Sequence, residues 1–286
     1  MKVNNNNPVY FIAEIGQNHQ GDINIAKQMV DSLKGLPISC IKTAKRDIDV
    51  CLSEKQKNMI YDNANSFGMT YYEHRNALEL SKDEFIELKD YVENAGFDFI
   101  SSYTDINSLD FLCDIGISGL KIASQRITDI DLIDATSNTG LPVIISSGMS
   151  SIEDIDMVVN ILKHNEKYVL QCTSTYPCPD DELNLNVIPM LRDRYKERID
   201  GVGFSGHHSG IAPDIAAYML GSRIIERHYT LSRTMKGTDH AASLEYKGVE
   251  NILKYINQVK TSLGTSEKRV LDSEQIAIKK LRSDLL

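Results

Sequence analysis

Two short stretches carry the residues best suited to chemistry: Gly203-Phe204-Ser205-Gly206-His207-His208-Ser209-Gly210 and Ile224-Ile225-Glu226-Arg227-His228-Tyr229-Thr230-Leu231. Each opens as an apolar run and then breaks into polar side chains. In a strand, residues two apart share a face, so Ser205 points with His207, and Glu226 with His228. Two imidazoles at neighbouring strand ends, flanked by a hydroxyl and a carboxylate, form a donor set for one divalent metal. The competing reading is a pair of hydrogen-bonded structural histidines. His207 and His208 are adjacent, so only one of them faces inward on a regular strand. Ser205 selects His207 and leaves His208 a structural place or the loop rim.

The elements that must hold these residues follow from the rest of the chain. Between the two stretches, Ile211 to Leu220 is apolar and helix-like, which makes them neighbouring parallel strands of a βαβ unit. Upstream, apolar strands are expected at Val9 to Gly16, Ser39 to Ala44, Asp98 to Ser102, Gly119 to Ser124, Leu141 to Gly148 and Tyr168 to Thr173. Helical patterns alternate with them: one capped by Asp22, one from Lys82 to Ala95, a short one near Leu109 to Cys113, and one around Ile130 to Ser137. Further helices follow Ser151, span Leu185 to Arg194, and close the series from Val249 to Leu263.

That is about eight strand–helix repeats in a chain near the ~250-residue norm of a closed barrel. The strands are near-continuously apolar, as parallel strands covered by helices must be, and their polar residues gather at the C-terminal ends. The expected fold is an α/β (β/α)₈ TIM barrel over residues 1–263, with 264–286 expected to form a charged, helical tail outside it. An open doubly wound sheet is the runner-up, but no glycine-rich fingerprint follows the first strand. Ile48 to Leu80 has weak periodicity and is too long for a plain connection, so it reads as a functional excursion over one end of the domain.

The 286 residues are 42% hydrophobic and 25% charged, an ordinary globular composition. With 31 basic against 40 acidic residues, the net charge of −9 argues against general nucleic-acid binding. No apolar run reaches membrane-spanning length, and the N-terminus lacks the pattern of a secretory signal. The five cysteines form no CxxC pair. They are expected to be reduced structural thiols, as in a cytoplasmic protein.

The active end of such a barrel lies at the C-terminal ends of its strands. This sequence puts Glu14, Asn18, His19, Lys42, Lys45, Arg46, Lys121, Ser124 and Arg126 there, followed by Ser146, Ser147, Thr173, Ser174, Tyr176, Ser205, His207, Glu226 and His228. A positive, hydroxyl-rich mouth on an acidic protein suits a small phosphorylated anion. Lys42 and Lys121 lie within apolar strands, where an ammonium group needs an anion or a carboxylate beside it. Glu14 and Glu226 either pair with those lysines or transfer protons. The serines at successive strand ends, beside Lys121, read as a phosphate cradle. The polar loop from Ser232 to Glu245 reads as a substrate loop.

These residues resemble a known family. Ala13-Glu14-Ile15-Gly16-Gln17-Asn18-His19, Ile145-Ser146-Ser147-Gly148-Met149-Ser150 and Gln171-Cys172-Thr173-Ser174-Thr175-Tyr176-Pro177 are similar to motifs of the sialic acid synthases. So are Gly203 to Gly210, Ile225 to Leu231 and Gly237 to Glu245, and the likeness runs in order from Val9 to Leu263. The resemblance implies a barrel enzyme, a transferase that condenses phosphoenolpyruvate with an aldose such as N-acetylmannosamine. Its product is a 2-keto-3-deoxy sugar acid of the nonulosonic type, formed with release of phosphate. It implies a divalent metal, manganese or magnesium, on His207 and His228. Lys121, Ser124, Ser146 and Ser205 fall where the family holds phosphoenolpyruvate, with Lys42 close to its charged groups, and Ser147 and Ser174, from the ring of strand-end serines, are expected to bind substrate beside them. Glu14, Tyr176, Glu226 and Asp239 fall where that family handles the acceptor sugar and proton transfer.

The chain departs from the family at three places. It has Ser205-Gly206-His207-His208 where Ser-Asp-His-Thr is common, and Ser174 where asparagine is common. It is also expected to lack the small antifreeze-like domain that many relatives carry after the barrel, which opens the identity of the acceptor. The excursion is expected to supply a lid or a homo-oligomer contact instead. Two rival functions remain: a metal-dependent sugar-phosphate aldolase or lyase, and a non-catalytic sugar-binding descendant.

Overall fold

A computed structural model describes residue 1, residue 3 and residues 7–282. Eight parallel strands close on themselves in the order β1 to β8. The first half runs β1 (Tyr10–Gly16), α1 (Ile23–Leu33), β2 (Cys40–Lys45), three short helices α2 (Ile48–Cys51), α3 (Glu54–Lys57) and α4 (Tyr71–Ala77), then α5 (Lys82–Asn94), β3 (Asp98–Tyr103), α6 (Ile106–Asp114) and β4 (Gly119–Ile122). The second half runs α7 (Ile130–Ser137), β5 (Val143–Ser146), α8 (Ile152–Ile161), β6 (Lys167–Cys172), α9 (Val187–Tyr195), β7 (Gly201–Gly206), α10 (Ala212–Met219), β8 (Ile224–His228) and α11 (Tyr246–Leu263). β8 pairs with β1, from Tyr10 opposite Ile224 to Glu14 opposite His228, which rules out the open-sheet alternative. All eight expected strands are present; α6 is longer than the pattern Leu109 to Cys113 suggests.

Two cores follow from strand alternation. Phe11, Ala13, Ile41, Phe99, Leu120, Ile145, Val169, Phe204 and Ile225 face outward and pack under the helices. Tyr10, Ile12, Cys40, Ile100, Ile144, Tyr168, Leu170 and Ile224 fill the lumen. One step further along, the inward position turns polar on seven of the eight strands, at Glu14, Lys42, Ser102, Lys121, Ser146, Ser205 and Glu226, all buried, while β6 has Cys172 there. The barrel is therefore an apolar plug with a layer of chemistry laid on top of it.

The excursion folds into α2, α3 and α4. Capping boxes at Ser53/Gln56 and Thr70/Glu73 start α3 and α4, and an isolated bridge joins Ile60 to Thr70. His74 packs against Tyr61, Tyr71 and Phe67. Beyond α11, a short helix α12 (Gln275–Leu281) has no buried residue, and residues 283–286 of the expected tail lie outside the described residues. All five cysteines are free. Among the described residues, no helix is long and apolar enough to cross a membrane.

Candidate active site

The strand register assembles a charged cluster at the C-terminal end of the lumen. Glu14 on β1 lies opposite Lys42 on β2 and His228 on β8, while Ser205 on β7 lies opposite Glu226. Lys42 Nζ sits 2.6 Å from Glu14 Oε2 and 3.8 Å from Glu226 Oε1. Lys121 Nζ donates to Glu226 Oε2 at 2.7 Å, and Ser205 Oγ donates to Glu226 Oε1 at 3.1 Å. Two lysines and two carboxylates thus offset one another's charge out of water, which is how such groups tolerate burial.

The two carboxyl groups differ in environment. Burial raises Glu226, but Lys121 and Lys42 outweigh it and hold the carboxyl down at about 2. Glu14 is raised, because burial outweighs its share of Lys42 and the charge of Glu226 adds to the effect. One group stays ionised while the other takes a proton more readily, the division that acid–base work requires.

Above this cluster lie the imidazoles. The His207 and His228 rings stand 5.4 Å apart, centre to centre. His207 Nδ1 bonds the Thr173 carbonyl at 2.9 Å, which leaves Nε2 for a ligand. Burial lowers His228 to about 4, so its ring is neutral near pH 7, the form a metal needs. His228 Nδ1 is buried without a hydrogen-bond partner, and Asp239 Oδ2 is 3.9 Å away. The Tyr176 ring lies against the His207 ring, tilted by 33° with centres 4.0 Å apart.

The two rings are the donors that could hold a divalent ion. Among the described residues no group of three His, Cys, Asp or Glu side chains forms a cage. Two imidazoles are one short of the three protein ligands of a usual catalytic site, so an ion held here would keep its remaining positions for water or substrate.

Opposite β1, the serines converge. Ser124 Oγ and Ser146 Oγ are 2.8 Å apart. A Cβ on Gly148 would meet Ser174 Oγ at 2.2 Å and Ser124 Oγ at 2.5 Å, so the glycine keeps open a cradle of hydroxyls. Lys121 lies beside it, and Lys121, Ser124, Ser146 and Ser174 line one cavity of about 310 Å³ with Glu14, Lys42, Tyr176, Ser205, His207, Glu226, His228 and Asp239.

Ser147 lies outside that lining. Its hydroxyl donates to Gln171 Oε1 and accepts from Cys172 N, each at 3.0 Å, because alternation turns it away from the lumen where Ser146 points in. His19 and Asn18 are structural: His19 Nδ1 accepts the Gly21 N–H, and Asn18 Nδ2 ties Tyr229 O to Ser243 Oγ. Lys45 donates to the Leu80 carbonyl, while Arg46 pairs with Glu79 at the cavity edge. Thr173 donates to Glu182 O, and Arg126 pairs with Asp129. His208 belongs to a buried knot with Asp214 and Arg227 that fastens the β7 loop to β8 and α10.

Several lining residues escape a reading of the sequence, among them Gln17, Arg75, Ser102, Gln125 and Cys172. Cys172 follows Leu170 by two on β6, so period-two alternation is the signal that finds it. Gln17 sits after the irregularity at the end of β1, and Arg75 comes from the excursion; strand periodicity reaches neither.

Comparison with known proteins agrees with this geometry. The family described as NeuB matches residues 29–268. The chain is 36% identical over 281 residues to the human N-acetylneuraminate-9-phosphate synthase, covering 98% of this chain and 78% of that protein. It is 32% identical to the N,N'-diacetyllegionaminic acid synthase of Campylobacter jejuni, over 96% of this chain and 84% of that one. The crystal structure of an N-acetylneuraminic acid synthetase from Leptospira borgpetersenii, in complex with citrate, superposes with a TM-score of 0.82 at 32% identity. It is matched over 98% of this chain and 93% of that one.

Proposed function

Because this chain belongs to the NeuB family, we propose that it is a synthase that condenses phosphoenolpyruvate with an aldose, giving a nonulosonic-type 2-keto-3-deoxy sugar acid and inorganic phosphate. The relatives named as synthases of sialic, legionaminic and pseudaminic acids support the reaction class. Their names differ in whether the product carries a phosphate, so the acceptor must be read from the site. The observation that carries the proposal is the convergence of two imidazoles, a lysine–carboxylate cluster and a serine cradle in one cavity.

Lys121 with Ser124, Ser146, Ser174 and Ser205 holds the anionic groups of phosphoenolpyruvate, and Lys42 offsets the charge that develops on them. Tyr176 forms part of the acceptor wall. His207 and His228 would hold a divalent ion, manganese or magnesium, and such an ion would supply Lewis-acid polarisation of the aldehyde. C3 of the enol attacks the aldehyde carbon, and Glu14 gives a proton to the oxygen that becomes the hydroxyl. Water adds at C2 as Glu226 or Asp239 takes its proton, and the C2–O bond breaks to release phosphate. One water is consumed, and no redox partner is needed.

The five free thiols support a cytoplasmic enzyme. Exposed Met59, Ile60 and Met69 on the excursion support a homo-oligomer contact. Measuring phosphate release with and without acceptor tests the reaction class. An aldolase, or a sugar-binding protein without activity, would release none from phosphoenolpyruvate.

A further inference from the structure

One guanidinium in the cavity makes no direct ion pair, and Asp239 and Glu79 act on it only from a distance. Arg75, on α4, lines the mouth beside Gln17 and Asp239, and among the described residues it makes no ion pair. Its Nη1 donates to Gln17 Oε1 at 2.6 Å, a neutral acceptor. Arg46 next to it is engaged by Glu79 at 2.8 Å, so that carboxylate is already taken. Burial and the neighbouring Arg46 push Arg75 below its usual range, so its charge is unfavourably placed without an anion. By contrast, each lysine of the cluster below has a carboxylate within 2.7 Å.

The position of Arg75 separates it from the serine cradle. Gln17 follows β1, whereas the cradle sits at the ends of β4, β5 and β6, on the opposite wall of a closed eight-stranded barrel. The imidazoles of β7 and β8 lie between the two walls. A series of contacts runs from Arg75 to Gln17, from Gln17 Nε2 to Asp239 Oδ2 at 3.5 Å, and from Asp239 to His228 at 3.9 Å. That span is on the order of 10 Å, within reach of an open-chain six-carbon sugar with a terminal anionic group. Packing holds α4 and its neighbours in place. His74 sits in an aromatic cluster, Gly237 N donates to Asn65 Oδ1, and Lys236 lies over the Phe67 ring at 4.7 Å. The excursion and the loop after β8 thus form one cationic rim.

Resting on the reaction proposed above, we infer that Arg75 anchors a terminal phosphate on the acceptor, so that the natural acceptor is a phosphorylated aldose. The three carbons of phosphoenolpyruvate add at C1, so a phosphate on the sugar's C6 would leave the reacting carbon at the imidazoles and the anion at Arg75. A planar guanidinium binds phosphate through paired hydrogen bonds, and among the described residues Arg75 is the guanidinium on that wall not already held by a carboxylate.

The test compares N-acetylmannosamine with its 6-phosphate in the intact protein and in Arg75→Gln and Arg75→Lys. The intact protein should prefer the phosphorylated acceptor in kcat/KM. R75Q should reduce that preference roughly 10- to 100-fold, through the acceptor KM, with R75K intermediate. Circular dichroism and thermal melting establish that each variant is folded. Equal use of both acceptors by the intact protein, or a preference that survives R75Q, overturns the inference while leaving the condensation intact. A rise in the KM for phosphoenolpyruvate as large as that for the acceptor also overturns it, by assigning Arg75 to the other substrate. Absence of phosphate release with either acceptor would instead overturn the reaction itself.

Discussion

Lys121 Nζ lies 2.7 Å from Glu226 Oε2, with both side chains about 95% removed from solvent. The residues sit 105 positions apart in sequence, on β4 and β8, and meet across the lumen. This contact draws the far wall of the barrel to the strand that carries His228. It also leaves Lys121 beside the hydroxyl cradle, where an incoming anion can share its charge.

Breaking that pair from one side should be costly. Lys121→Met or Glu226→Gln leaves a buried charge with a weaker partner, and each should lose about 3 kcal/mol in urea unfolding. The double variant Lys121→Met/Glu226→Met should regain most of that stability, because no orphan charge remains, yet show no phosphate release. Recovery of activity in the double variant would mean that the pair serves structure alone.

The barrel is legible in the sequence because the same event recurs on most strands. An inward apolar position, such as Ile12, Ile100, Ile144 or Ile224, is followed two residues later by Glu14, Ser102, Ser146 or Glu226. Alternation alone then places the polar layer. It separates Ser146 from Ser147, a distinction lost when every serine at a strand end is counted alike. Gln17 and Arg75 are less legible, since tertiary packing rather than local period decides where the excursion lies. The Thr70/Glu73 capping box is the available signal for α4, but it says nothing of the direction in which Arg75 points. Lys45 and Arg46 illustrate the converse, as cations beside a site whose partners, Leu80 O and Glu79, come from that same excursion.

The metal assignment predicts a loss measurable apart from turnover. His207→Ala and His228→Ala should each abolish phosphate release and weaken manganese binding, measured by titration calorimetry, while leaving the circular dichroism spectrum unchanged. Chelation of the intact protein should abolish phosphate release, and added manganese or magnesium should restore it. Undiminished binding in either variant would remove that histidine from the site.

Gly148→Ala tests the cradle. The added Cβ would intrude on Ser174 Oγ at 2.2 Å and Ser124 Oγ at 2.5 Å, so the hydroxyls must swing away. The KM for phosphoenolpyruvate should rise roughly tenfold or more, with the acceptor KM less affected, since misplacement of binding groups by about an ångström is enough for such losses. An unchanged KM would place the anion elsewhere.

His19 makes stability depend on pH. Burial holds it neutral, with its pKa lowered from 6.5 to about 4, and Nδ1 must stay unprotonated to accept the Gly21 N–H. Between those values the unfolded chain binds the proton and the folded one does not. Its contribution is therefore fully present above pH 6.5 and is lost as pH falls towards 4. The change amounts to about 3 kcal/mol. Urea unfolding of His19→Asn, which keeps an acceptor but cannot titrate, should lack that part of the slope. Identical pH profiles for the two proteins would contradict this.

The most direct test of the central claim uses phosphoenolpyruvate labelled with heavy oxygen at the bridging position, together with an aldose and manganese. The account predicts that the label leaves in inorganic phosphate, in step with one 2-keto-3-deoxy sugar acid per phosphate, and only when acceptor is present. Phosphate released without acceptor, label retained on the carbon product, or no phosphate with any aldose would contradict it.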